Sequence, residues 1–135
     1  MSIYALVDGG SLNNQDPKKR QAYGSFYIVE GDLPFNMEGT KEIARQTFKF
    51  GNKTNNEAEY LIIRECLSYC LANNITDIHI GTDSELVWKQ LHGEYKIKNP
   101  RIKPLVEGVM ALMAHVGKVE INKVPRAFNV FYLGH

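Results

Sequence analysis

The sequence predicts an α/β domain built on a five-stranded mixed sheet. Three observations carry this expectation. Short β-branched and aromatic runs dominate the chain up to Phe50, helical patterns alternate with apolar runs after it, and the connections are short and rich in Gly, Asn and Pro. The predicted order is β-β-β-α-β-α-α-β.

Ile3 to Val7 reads as a short buried strand. The polar stretch from Gly9 to Gln21 contains Gly-Gly, Asn-Asn and Asp-Pro and reads as a loop. Tyr23 to Val29 is aromatic and β-branched, a second strand, and Gly31 to Asn36 reads as a turn. A third strand is expected between Glu38 and Phe50, with Thr47, Phe48 and Phe50 favouring its last part. Connections this short imply antiparallel pairing among the three.

Thr54 to about Asn73 is the strongest helix. Thr54 followed three residues on by Glu57 matches a capping box. At 100° per residue, Ile62, Ile63, Cys66 and Cys70 fall within about 60° of Glu59, whereas Glu57, Arg64 and Ser68 fall opposite. Helix phase therefore separates two nearby acids: Glu57 is a cap, and Glu59 points inward. Asp77 to Thr82 is a fourth strand, Ser84 to Leu91 a short helix, and Gly93 to Asn99 a basic loop. Arg101 to His115 is a further helix with Gly117 as its stop, and Val119 to Val124 a fifth strand. After Pro125 the aromatic tail with Phe128, Phe131 and Tyr132 reads as irregular.

The chain has 135 residues, 44% of them hydrophobic and 23% charged, which suits a single domain, 1–135, with a real core. A formal net charge of +1 argues neither for nor against a nucleic-acid partner. Positive charge is clustered at Lys18, Lys19 and Arg20, and again at Lys96, Lys98, Arg101 and Lys103; such clusters serve as solvated loops or as phosphate contacts. Cys66 and Cys70 share the inner helix face and read as buried free thiols without metal spacing, so a reducing, cytoplasmic setting is expected. No leader segment and no membrane-spanning run is visible. His79 is expected to face the other side of the sheet or a polar neighbour, His92 to lie at the surface, His115 to sit near a helix C-terminus where positive charge is favourable, and Trp88 and Tyr95 to pack on the domain.

Asp8, Glu59 and Asp83 stand apart from the other acids. Asp8 and Asp83 each end an apolar run, and Glu59 sits mid-face on a buried helix. A carboxylate in an apolar setting is costly unless it is paired or bound to a cation. Three that converge suggest a hard-metal site. If the strands before the two aspartates are parallel neighbours, both acids reach the sheet's carboxyl edge, where ligand sites of α/β proteins gather. Simpler uses compete. Asp83 can cap the following helix, although Ser84 can do so instead; Asp8-Gly9-Gly10 can be a turn; Glu59 can sit in a buried ion pair.

Asp8-Gly9-Gly10-Ser11 after a strand, Thr54-Asn55-Asn56-x-x-Glu59 opening a helix, and Thr82-Asp83-Ser84 joining a strand to a helix together resemble the type 1 ribonuclease H family. The resemblance runs from about Ile3 to Asn129. The stretch Gln90-Leu-x-Gly-Glu-Tyr-Lys-Ile-Lys-Asn-Pro100 is similar to the compact bacterial and archaeal branch. It implies a ribonuclease H-like fold, with three antiparallel strands, then two parallel ones, flanked by helices. It also implies endonucleolytic cleavage of the RNA strand of RNA–DNA hybrids by a monomer, without excluding an oligomer. Two Mg²⁺ ions about 4 Å apart would serve the reaction, with Mn²⁺ as a substitute. Asp8 would bridge both ions, and Glu59 and Asp83 would each serve one. Gly9, Gly10, Ser11 and Asn13 would approach the hybrid's minor groove. Asn55 and Asn56 would read sugar and base edges, since an amide can pair with a 2′-hydroxyl. Thr54 would hold a phosphate of the DNA strand.

One departure follows. Members usually carry Arg-x-x-Asn and an aspartate four residues after the asparagine. Arg126 and Asn129 match, but the aspartate's place is taken by Leu133. Either three carboxylates suffice, or His135 or its terminal carboxylate substitutes as a ligand, or the domain is a catalytically weakened module that binds nucleic acid or protein, with the aromatic tail as a docking segment. A related nuclease acting on DNA junctions or single strands would use the same acids.

Overall fold

In the computed structural model, residues 2–31, 39–93 and 97–134 are described. Five strands, β1 (Ser2–Leu12), β2 (Gln21–Gly31), β3 (Lys41–Gly51), β4 (Asp77–Thr82) and β5 (Lys118–Lys123), form one sheet in the order β3-β2-β1-β4-β5. The first three pair antiparallel, and β1-β4 and β4-β5 pair parallel. The helices are α1 (Asn55–Ala72), α2 (Glu85–Leu91), α3 (Lys103–Val116) and α4 (Arg126–Leu133).

Side chains alternate across β1. Ala5 and Val7 join the main core beneath α1 and α3, with Ile62, Ile63, Cys66 and Leu67 wholly buried there. Burying each aliphatic side chain is worth about 1.5–3 kcal/mol relative to leaving it exposed. Tyr4 and Leu6 face the other way, where they meet Val29 and Leu133 under α4. Asp8 has their parity, so it emerges on the α4 side of the sheet.

Two expectations are corrected here. The stretch after Asp8 is not a loop: Gly9, Gly10, Ser11 and Leu12 continue β1 and pair with β2 as far as Gln21. Only residues 13–20 turn, with Asn13 in the left-handed region (φ 55°) and the Asp16 N–H donating to Asn13 O at 2.9 Å. Glycines weaken a strand locally, but an antiparallel partner along the full length restores its ladder. The second correction is at the end of the chain. The aromatic tail is helical: α4 lays Leu133, with Phe128 and Tyr132, onto Tyr4, Leu6 and Val29, while Phe131 stays 79% exposed. Burial of these side chains selects a helix that is too short for its period to be read locally.

Other elements agree closely with the sequence. The capping box is present, with the Glu57 N–H donating to Thr54 Oγ1 at 3.2 Å and the Thr54 N–H to Glu57 Oε1 at 3.1 Å. Glu57 is nonetheless buried rather than on an open face. Asn73 closes α1, and Gly117 closes α3 at φ 121°. His79 lies tilted against the Tyr4 ring and pairs with Glu120 at 3.1 Å, and the Trp88 indole donates to Ile121 O at 3.2 Å. His92 and His115 are exposed. The expected turn after Gly31, the expected strand start at Glu38, and Tyr95, Lys96 and His135 lie outside the described residues.

Candidate metal centre

Parallel pairing of β1 with β4 runs from Tyr4↔His79 to Val7↔Thr82. The next residues are Asp8, which stays in β1 opposite Ser25, and Asp83, just past the end of β4, so the two acids stand side by side where β4 ends. Ser84 is the helix cap: its Oγ accepts from the Val87 N–H at 3.2 Å, which frees Asp83 from that task. Glu59 arrives from α1 over the same edge. Ligand atoms of Asp8, Glu59 and Asp83 all lie within 4.8 Å of one another.

Gly9 makes the approach of α1 possible. A Cβ there would stand 2.6 Å from the carbonyl carbon and oxygen of Ala58 and 2.8 Å from the Glu59 nitrogen. Those atoms belong to helix backbone and cannot swing aside, so only a glycine lets α1 sit this close. Gly9 thus faces α1, and its structural effect is to bring Glu59 to Asp8. Gly10 faces the Tyr23 ring, since a Cβ there would lie 2.6 Å from its hydroxyl.

The electrostatics are those of crowded acids. Asp8 and Glu59 are 1% and 6% exposed. Burial, and then the neighbouring Asp8 charge, holds the Glu59 carboxyl well above the usual carboxylate range; a backbone hydrogen bond with Gly9 opposes this. Asp83 is also raised, by burial and by Asp8, against the pull of Arg126 and Asn129. Glu59 Oε2 is buried without a hydrogen-bond partner, so the expected alternative of a Lys or Arg ion pair does not account for it. An orphaned carboxylate oxygen facing two further acids fits an oxygen-ligated divalent cation.

The compensating cation comes from α4. Arg126 Nη1 lies 3.0 Å from Asp83 Oδ2 and 3.5 Å from Asp8 Oδ1, and its side chain is 65% exposed. Asn129, wholly buried, donates from Nδ2 to Val7 O at 3.0 Å and ties α4 to β1 one residue before Asp8. The Arg-x-x-Asn spacing was visible in the sequence; that Arg126 spans two of the acids was not. Leu133 is a core residue packed on Tyr4 and Leu6, so the described residues supply three carboxylates here and no fourth.

At the start of α1 lies a polar recess of about 290 Å³, lined by Asn14, Thr54, Asn55, Asn56, Asn99 and Arg101. The Ser11 N–H donates to Asn55 Oδ1 at 2.6 Å and the Asn55 N–H to Asn14 Oδ1 at 2.9 Å, which locks the hairpin against the start of α1. Asn13 sits at the hairpin turn, where its Nδ2 donates to Lys19 O at 3.4 Å. Asn14, Asn99 and Arg101 were not singled out from the sequence as lining residues. Asn14 is drawn in by the unforeseen length of the hairpin, and Asn99 and Arg101 by the packing of α3 beside α1.

Residues 36–131 match the reverse transcriptase-like family. The chain is 31% identical over 127 residues to ribonuclease HI of Halobacterium salinarum, covering 94% of this chain and 58% of that protein. The curated relatives that it matches are longer, and the chain spans between 33% and 58% of their lengths. Among solved structures, the ribonuclease H1 of Halobacterium salinarum superimposes with a TM-score of 0.83 at 29% identity, covering 96% of this chain and 89% of the other. A ribonuclease H1 solved in complex with an RNA/DNA hybrid shares the fold with a TM-score of 0.80 at 23% identity, covering 96% and 90%.

Proposed function

Because the chain belongs to the reverse transcriptase-like family and has the type 1 ribonuclease H fold, we propose that it is a metal-dependent endonuclease that hydrolyses the RNA strand of RNA–DNA hybrids. The observation that carries this reading is the convergence of Asp8, Glu59 and Asp83, with Glu59 Oε2 orphaned, at the carboxyl end of β4 beside the middle of β1. A relative named ribonuclease HI and a neighbour of the same fold that holds a hybrid support it.

Asp8, Glu59 and Asp83 would hold the divalent ions, Mg²⁺ with Mn²⁺ as a substitute. When bound, such ions supply an activated water and stabilise the leaving oxygen. Asp8, whose charge acts on both Glu59 and Asp83, would help to hold the ions beside each of them. Arg126 neutralises Asp8 and Asp83 in the metal-free protein and, being exposed, is free to swing toward a phosphate once cations take over that task. Ser11, Asn55 and Asn56 border the cleft from which a 2′-hydroxyl would be read. Thr54, with Asn14 and Asn99 beside it, suits a phosphate of the DNA strand. Asn13 would approach the minor groove from the hairpin turn, while the contributions of Gly9 and Gly10 come through the elements they allow to pack.

Among the described residues no helix is long and apolar enough to cross a membrane. The buried free thiols Cys66 and Cys70 suit a reducing setting such as the cytoplasm. A monomer accounts for the whole site. The test is cleavage of a labelled RNA–DNA hybrid in Mg²⁺ and in Mn²⁺, with Asp8→Asn beside the parent protein. Metal-dependent cleavage lost in the variant supports the assignment. Hybrid that is bound but left intact in every metal would instead support a binding module whose catalysis was lost with the fourth acid, at Leu133.

A further inference from the structure

We infer that a second recess, between α1 and the start of α3, holds another backbone phosphate of the uncut DNA strand, adjacent to the phosphate assigned to Thr54. This rests on the nuclease reading above. The recess measures about 450 Å³ and carries Lys53, Arg64 and Arg101 at its rim over Phe50, Leu61 and Pro104.

Three features favour a deoxynucleotide backbone as its occupant. The first is charge. Among the described residues, neither the Lys53 nor the Arg101 side chain is in an ion pair. Arg64 faces only Glu65, at 3.5 Å in a half-exposed pair that contributes little. The one acid lining the recess, Glu57, is engaged in the helix cap through Oε1. Three cations left over on one concave surface form a phosphate-binding station. The second is continuity. Arg101 lines both this recess and the polar one at Thr54, so a strand seated in the first is led into the second. The Arg101 N–H, donating to Asn99 Oδ1 at 2.9 Å, fixes the loop between them. The third is the floor. Phe50, Pro104 and Leu105 offer apolar surface to a deoxyribose, which has no 2′-hydroxyl to satisfy, whereas the amides Asn55 and Asn56 line the neighbouring recess and not this one.

The experiment uses Asp8→Asn protein, so that the RNA stays intact, and measures hybrid binding by fluorescence anisotropy across a salt series. Arg64→Ala is expected to raise the Kd by about three- to tenfold and to reduce the log–log salt slope by roughly one, as loss of one phosphate contact requires. Arg64→Lys should retain most of the slope. Single methylphosphonates placed along the DNA strand locate the contact: one position next to the Thr54-dependent one should weaken binding to the parent but cause no further loss in Arg64→Ala. An unchanged Kd and slope in Arg64→Ala, beside a weakened Thr54→Ala, overturns this inference and leaves the nuclease reading standing. Equal weakening by methylphosphonates on the RNA strand alone also overturns it. If the Asp8→Asn protein binds no hybrid, both fall. Arg64 is exposed, so its replacements should fold like the parent.

Discussion

Helices α1 and α4 press on β1 from opposite faces, and each brings one charged residue to Asp8. From α1 comes Glu59, buried, negative and fixed by the contact at Gly9. From α4 comes Arg126, mostly exposed, positive and held by two carboxylates. The first arrangement adds charge of the same sign where solvent cannot relieve it. The second offers relief that can be withdrawn. A site that must accept a divalent cation needs both: acids that cannot relax away from one another, and a counter-charge that gives way. A buried arginine in place of Arg126 would satisfy the acids permanently and compete with any metal.

The largest expected break in this comparison is at the residue both helices address. Asp8→Asn should lower hybrid cleavage by about 10³-fold or more, some 4 kcal/mol of barrier, while thermal unfolding shows the fold retained. Next is the contact that fixes α1. Gly9→Ala places a methyl against the Ala58 backbone, so α1 must retreat; urea unfolding should show a loss of about 1–3 kcal/mol. Cleavage should fall further than stability accounts for, because Glu59 moves with the helix. Gly10→Ala is the control for crowding away from α1, since its Cβ would meet only the outer end of the Tyr23 ring.

Glu59→Gln tests the buried charge itself. Between the ordinary carboxyl value of 4.5 and the raised folded value, the native state keeps a proton that the unfolded chain has lost. Stability of the metal-free protein therefore falls as pH rises through that window. The glutamine variant should lose this slope and be more stable near neutral pH by on the order of 1 kcal/mol, measured by thermal unfolding in chelator. Divalent metal should stabilise the parent more than the variant, and its affinity for the parent should rise with pH as Glu59 deprotonates. The smallest effect belongs to the exposed partner. Arg126→Ala should change metal-free stability by no more than about 1 kcal/mol, because solvent already screens it. Calorimetry should show divalent metal binding more tightly to this variant, as a competing positive charge has gone. Weaker metal binding in Arg126→Ala would break the view that this guanidinium gives way to the ion.

Much of the α1 half of the site was legible in the sequence. The Thr54–Glu57 box and the phase of Glu59 are local facts, written within one helix and enforced by its 100° step. The partner of each strand was not local. Gly9 and Gly10 read as loop residues because their ladder lies in β2 and their neighbour in α1. The α4 half was the harder one to read. Arg126 meets Asp8 across 118 positions of sequence, and Asn129 meets Val7 across 122. Leu133 was visible as an absent acid, but not as a core residue beneath Tyr4. By itself the sequence determined the longer elements up to β5, which acids are costly and that Glu59 points inward, because those depend on period, capping and composition over a few turns. Only the tertiary structure decided that three acids share one point within 4.8 Å, that an arginine spans two of them, and that the tail is a helix. Such contacts arise when faces distant in sequence bury one another, and no local pattern encodes the pairing.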